Sequence, residues 1–581
     1  GPHFVGGHAQ ATVQASYYAG GGLPNSEVNW RVTARLTTYT PPNRDDYTFG
    51  KWTPWWVSYN SSSSTTDTVQ EFKGKTDAAG KHVLRLDFDS VNPPQPSTVT
   101  AQAGVTDVNR QTWTSTTTML VHPSELYVGL KSERLFVQQG EQLVVRSIVS
   151  DIDGKLVAGR EIRMRAAPLE WKYSNGQWKQ VEGAAEECAV KSAGDAVKCA
   201  FSPKAGGTYR VTARVLDDRE RPNESELTLW VAGGKQPPQR GVAQEKVELI
   251  PDRKEYAAGQ TAEILVQSPF VPAEGVLTLR RSGLVRTESF RMNEPSHTLR
   301  VPVEEGFTPN VYVQVDLVGA AARANDKGEA DEKLPKRPAF ASGSINLSVP
   351  PLARKLQVTA TPRDKAVEPG GETTVAVEVK DASGRPVAGG ELAVVVVDES
   401  VLALTGYKLD DPLSIFYAER GADVTDYHLR KDVQLADPTK ITVDGVSANG
   451  GAGVLASGTA GRADSPRRMR AAMPVMKAEA NAQAMDMLEA PPPPPSPTPG
   501  EGGEEGIRLR ENFNALAVFA PSVPTDAQGR AEVKVKVPDN LTRYRVMAVS
   551  VAGGKQFGSG ESSITARQPL MVRPSAPRFL N

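Results

Sequence analysis

Hydrophobic and polar positions alternate with a period of two in many short stretches of this chain. Thr373, Val375, Val377 and Val379 take every second position after Gly370-Gly371. Leu84, Leu86 and Phe88 do so after Gly80, as do Tyr209, Val211 and Ala213 after Gly206-Gly207, and Val533, Val535 and Val537 after Gly529. Such alternation buries one face of an extended segment, so it predicts strands of antiparallel sheets packed face to face. The stretches are separated by turns of the form D-x-x-G, in which glycine accepts a positive φ. The longest apolar run, Leu392 to Val397, falls far short of the roughly 20 residues that cross a bilayer as a helix.

The pattern repeats. Gly140–Glu161 aligns without a gap to Gly370–Glu391, pairing Gly140 with Gly370, Asp151 with Asp381, Gly154 with Gly384, Val157 with Val387 and Gly159 with Gly389. Gly7–Val28 fits with one residue fewer, and Gly259–Val276 is a weaker copy. Units of about 110 residues built from such strands predict an all-β chain of antiparallel β-sandwiches in tandem. The expected units are 1–123, 124–233, 234–351, and 352–440 together with 511–568, the last interrupted by a long insert at 441–510. Residues 569–581 read as the truncated start of a further unit, and Gly1-Pro2 as the remnant of a cleaved tag, so the chain is expected to be part of a longer protein.

Composition narrows the chemistry. The 581 residues carry 67 Lys and Arg against 68 Asp and Glu, a net charge of −1, which gives no reason to expect nucleic acid or an anionic membrane as partner. With two Cys and six His, at positions 3, 8, 82, 122, 297 and 428, a Cys/His zinc cage is not expected. No nucleophile elbow, phosphate loop or metal-spaced His pair is present, so the chain reads as no enzyme, without cofactor or metal. Cys188 and Cys199 fall opposite one another if a hairpin turns at Ala193-Gly194, and a disulfide between them is expected, which implies an oxidising compartment. Trp52, Trp55, Trp56 and Tyr59, beside the serine run 61–64, leave open a carbohydrate-binding platform as well as packing at a sandwich edge.

The insert differs from everything around it. Gly, Ala and Ser dominate its first part, five of the ten Met lie at 469, 473, 476, 485 and 487, and seven of the nine residues 491–499 are Pro. Such composition favours a flexible, extended segment. It reads as an inert linker, as a short Met-rich helix near 471–488 that binds a partner, or as a target for proteases. For the last it offers Arg462, Arg467, Arg468, Arg470 and Lys477 to basic-preferring enzymes, and Met473, Val475, Met476, Met487 and Leu488 to those that prefer apolar side chains.

The residues flanking the insert carry a family likeness. Val397-Asp-Glu-Ser-Val-Leu-Ala-Leu-Thr-Gly-Tyr407, Asp411-Pro-Leu413 and Phe416-Tyr417 on one side resemble the segments that border the bait region of bacterial alpha-2-macroglobulins. So do Arg510-Glu-Asn-Phe-Asn-Ala-Leu516, Phe519-Ala-Pro521 and Thr525–Gly529 on the other. The most specific match is Pro538-Asp-Asn-Leu-Thr-Arg-Tyr-Arg-Val-Met-Ala-Val549, followed by Phe557-Gly558 and Arg573–Phe579.

The resemblance implies macroglobulin-like β-sandwiches and a bait region at the insert. It implies a broad-spectrum protease inhibitor of the trapping type, in which cleavage of the bait triggers a conformational change. Expected partners are endopeptidases of varied specificity and a peptidoglycan synthase (a penicillin-binding protein). The expected setting is a periplasmic monomer, tied to the inner membrane only by a lipid anchor outside this chain. One departure is clear. Cys188 is followed by Ala-Val-Lys and Cys199 by Ala-Phe-Ser, so neither belongs to the Cys-x-Glu-Gln motif that forms the family's thioester.

Overall fold

A computed structural model describes residues 1–17, 20–56, 67–174, 177–234, 245–324, 330–331, 333–427 and 511–568. Antiparallel sheets dominate it, and the alternation seen in the sequence is what makes them two-faced. Glu372–Lys380 buries Thr373, Val375, Val377 and Val379, and His8–Gln14 buries Ala9, Ala11 and Val13. Each valine or leucine hidden in this way contributes about 1.5–3 kcal/mol.

Each of four sandwiches has a larger and a smaller sheet. In the first, five strands face the pair His8–Gln14 and Lys81–Asp87; in the second, six face the trio Leu126–Ser132, Leu143–Asp151 and Val197–Phe201. In the third, five face Glu248–Pro251, Thr261–Gln267 and Ser296–Pro302; in the fourth, five face Gln357–Pro362, Glu372–Lys380 and Arg530–Lys536. Each encloses its own apolar core.

The D-x-x-G turns are held by one recurring device. The carboxylate of Asp77, Asp151, Asp381 or Asp526 accepts hydrogen bonds from the backbone N–H groups two and four residues on. At Asp381 the bond from Ser383 Oγ, with these backbone bonds and that of the Arg385 side chain, lowers the carboxyl to about 2.

The first sandwich reaches across the second. Residues 37–56 leave it as a long excursion in which Tyr39 Oη donates to Ile152 O, Thr48 pairs with Leu130, and Trp52 N donates to Glu226 O. Arg44 Nε donates to Gly154 O at 2.9 Å. Gly154 has φ +84°, and a Cβ there would lie 2.1 Å from Pro42 O, so turn and excursion both require glycine.

One sequence expectation changes here, and for the tryptophans, left open between a platform and edge packing, the structure shows edge packing of Trp52 and Trp56 while Trp55 stays exposed. Trp52 and Trp56 are half-buried and pack on the core of the second sandwich; both stand edge-on to Trp55, Trp52 stands edge-on to Trp230 and Trp56 lies tilted against it, and Trp56 also packs on the third core. The platform's other members, Tyr59 and Ser61–Ser64, lie outside the described residues. Cys188 and Cys199 are joined by a disulfide with Cα atoms 6.2 Å apart, but their strands do not form a hairpin. Glu186–Lys191 pairs with Glu161–Ser174 in the larger sheet, and Val197–Phe201 pairs with Leu143–Asp151 in the smaller one. Each strand finds a longer partner in its own sheet, and the bond crosses the sandwich.

Candidate functional site

The bait residues expected from the sequence, Arg462, Arg467, Arg468, Arg470, Met473, Met476, Lys477, Met487 and Leu488, all lie outside the described residues. The site that can be built is the root of the insert, where the chain leaves the fourth sandwich and returns to it.

The two sides of the root are neighbours. Strand Glu391–Asp398, with Leu392, Val394 and Val396 buried, pairs antiparallel with strand Leu516–Pro524 across two register irregularities. The returning strand lies at the edge of its sheet. The insert is therefore the loop of a greatly enlarged hairpin.

The outgoing side is ordered by capping chemistry. Asp398 closes the N-terminus of helix Glu399–Thr405 by accepting from Ser400 N, at 2.8 Å, and Ser400 Oγ, at 2.6 Å. Thr542 Oγ1, just before the neighbouring strand Arg543–Ala552, donates to the same oxygen at 2.8 Å. Burial pushes the Asp398 carboxyl up, but these bonds outweigh it and hold it below its ordinary range. Glu399 pairs with Arg545, whose hydrogen bonds hold the Glu399 carboxyl down. The helix stops at Gly406, which has φ +65°. A second short helix, Pro412–Phe416, is capped by Asp411 and starts with proline. Phe416 stacks on Phe557 at 4.4 Å, and Tyr417 Oη donates to Lys555 O at 2.7 Å.

Beyond Tyr417 the chain changes sandwich. Residues 419–426 run along the third one as a strap. Asn310 donates to Arg420 O through Nδ2 and accepts from Arg420 N through Oδ1, both at 2.9 Å. Ser282 N donates to Gly421 O at 2.8 Å and Gly283 N to Ala422 O at 3.0 Å. Asn346 bonds Glu419. Arg280, whose side chain is 6% exposed, grips the Asp426 carboxylate with two nearly parallel bonds of 2.6 and 2.8 Å. Burial, with Arg420 nearby, draws the Arg281 guanidinium below its ordinary range.

The incoming side stays on the fourth sandwich. Asp539 Oδ2 accepts from Glu511 N at 2.9 Å and Asn512 N at 2.8 Å. Asn540 Nδ2 donates to Phe513 O and Asn514 O, and Asp398 N to Ala515 O. The insert thus departs from one sandwich and arrives on another. Asp398, Glu399, Asp539 and Asn540 belong to the motifs singled out in the sequence. Arg280, Asn310 and the Ser282-Gly283 turn do not, because nothing local in the sequence marks a strand end as a partner of residues more than a hundred positions away.

No group of three or more His, Cys, Asp and Glu fit to hold a metal occurs among the described residues. No described helix is long and apolar enough to cross a membrane. Tandem sandwiches with one long insert, rooted in a hairpin and strapped to a neighbour, define a multidomain β-protein whose distinctive feature is a non-sandwich segment.

Comparison with known proteins agrees. The model of the alpha-2-macroglobulin bait region domain matches residues 247–404, and that of the alpha-2-macroglobulin family matches residues 516–581. An alpha-2-macroglobulin homolog of Nostoc sp. is 25% identical over 590 residues, covering 99% of this chain and 28% of its own length. The alpha-2-macroglobulin of Escherichia coli is 22% identical over 460 residues, covering 76% of this chain and 24% of its own length. The native-conformation structure of the Escherichia coli protein superposes with a TM-score of 0.37 at 16% identity, covering all of this chain and 34% of that one. The chain is thus similar to alpha-2-macroglobulins in the two stretches that these family models match, and it spans about a quarter of the length of these curated relatives.

Proposed function

We propose that this chain is the bait-bearing part of a broad-spectrum protease inhibitor of the trapping type. Endopeptidases of varied specificity cut the insert, and the cut lets the sandwiches rearrange so that the attacker is entrapped. The chain is the substrate in this step and contributes no catalytic group. The observation that carries the reading is the root: the arms of one insert are fixed to different sandwiches, Arg420–Asp426 to the third and Glu511–Asn514 to the fourth.

The chain crosses between these sandwiches three times, at the linker 349–356, at 417–419, and through the insert. A cut removes the third crossing and leaves two free ends, which lowers the effective concentration of one arm near the other. A bistable arrangement held by that crossing can then relax. The matches to the alpha-2-macroglobulin models and the mixed side chains of 441–510 support the reading. The setting proposed with it is the periplasm, with the full-length protein a monomer anchored to the inner membrane and associated with a peptidoglycan synthase.

Limited proteolysis tests it. Trypsin, elastase and a protease that prefers large apolar residues should all make their first cuts between about 441 and 510. First cuts spread over the joints between sandwiches would sink the bait assignment.

A further inference from the structure

The strap raises a question that the trapping reading does not answer: where the cleavable segment begins. Composition alone sets no border, since Lys408, Arg420, Arg430 and Lys431 all precede the insert and all suit a basic-preferring protease. The structure supplies one. A protease binds its substrate in an extended form with free peptide groups, so a bonded segment must first detach.

At Arg420 the backbone has nothing to offer. Both its N–H and its C=O are taken by the amide of Asn310, and the next two carbonyls accept from Ser282 N and Gly283 N. Downstream, the Arg280–Asp426 pair closes the strap. The Arg280 guanidinium is nearly buried, and its Nε is held by Thr278 Oγ1 at 2.9 Å. Detaching the strap would therefore strip a buried cation of its carboxylate, which is strongly unfavourable. Gln314 Nε2 adds a third donor to Asp426, at 3.1 Å.

We propose that Arg280 and Asn310 fix the upstream limit of the bait. They hold residues 419–426 against the third sandwich, so that proteases act only downstream of the strap and the N-terminal stump stays on that sandwich after the cut. This proposal rests on the trapping reading and adds a border to it. Arg280 and Asn310 are positioning residues: they touch no protease and act through the strap they hold.

The test is timed tryptic digestion with mass spectrometry, on the whole chain and on two variants. Asp426→Ala changes only the strap side, so it leaves the strands of the third sandwich intact; Asn310→Ala removes the amide clamp. In the unchanged chain, the Arg420–Gly421 bond should outlast the bonds in 428–510. In both variants it should be cut about tenfold faster or more, the scale set by losing hydrogen bonds to a charged group when cleavage follows local opening. Early cutting after Arg420 in the unchanged chain would overturn the proposal. So would an unaltered rate at that bond in Asp426→Ala. If no cuts fall within 428–510 while the Arg420 bond is protected and Asp426→Ala exposes it, the trapping reading fails and the clamp stands.

Discussion

Cys188 and Cys199 are bonded across the second sandwich, one carried by the larger sheet and the other by the smaller. Cys199 is buried, and Cys188 packs beside it against the core. The bond therefore holds two sheets face to face, in addition to closing a short loop. Replacing both cysteines by serine should destabilise this sandwich by about 2–3 kcal/mol. In a multidomain chain the loss should show as a lower midpoint for one thermal transition, with the others unmoved. Reduction of the unchanged chain should reproduce the shift, and an unchanged thermogram would show that the bond adds nothing.

Glu399 and Arg545 tie the first helix of the root to the strand beside it. Both side chains are partly exposed, so Glu399→Gln should cost only about 0.5–1 kcal/mol. Its effect should be local, read as faster amide exchange in residues 399–405. The Glu399 carboxyl sits below its ordinary range in the fold. Its contribution is thus present above the unfolded value of about 4.3 and is lost as pH falls through the lower folded value. The variant should differ from the parent at neutral pH and converge with it in acid.

His122 is buried at the end of the first sandwich, where Nδ1 shares a 2.8 Å hydrogen bond with Tyr127 Oη and Tyr39 stands edge-on to the ring. Burial, with a smaller effect of His3, lowers its proton affinity. The unfolded chain, with an ordinary value near 6.5, binds the proton more readily. Stability should therefore fall as pH drops from about 6.5 to the lowered folded value, and level off below it. His297 is lowered by burial too, so His122→Gln should flatten the pH profile of exchange in strand Thr112–His122 and leave that of Ser296–Pro302 as it was.

Gly154 is the point where the excursion from the first sandwich meets a turn of the second. Gly154→Ala would add the strain of a positive φ to a clash with the Pro42 carbonyl. The cost should exceed the roughly 1 kcal/mol of the φ term alone. Because the clash lies between sandwiches, proteolysis within residues 37–56 should speed up. The equivalent glycine of the fourth sandwich, Gly384, has the same positive φ but nothing within 4 Å of an added Cβ. The paired variant Gly384→Ala should therefore show the φ cost alone.

The strands and the turns were legible in the sequence, because their causes are local. A period of two places Val375, Val377 and Val379 on one face whatever lies beyond it, and an aspartate two and four residues before its donors makes the same turn in the first, second and fourth sandwiches. The two short helices at the root were not expected from the strand pattern, although Asp398 and Asp411-Pro412 are local capping signals for them. Other features were decided only by tertiary packing. The sequence around the cysteines fits a hairpin, but each strand finds more hydrogen bonds with a longer partner in a separate sheet. The tryptophans suit a surface platform, but burying Trp52 and Trp56 between sandwiches removes more apolar area from water. The clamp of Arg280 on Asp426 exists because the strap is laid against the third sandwich there, and no local pattern encodes a contact between residues 146 positions apart. Thus the sequence by itself specified the repeating unit, while tertiary packing decided how its interruption is held.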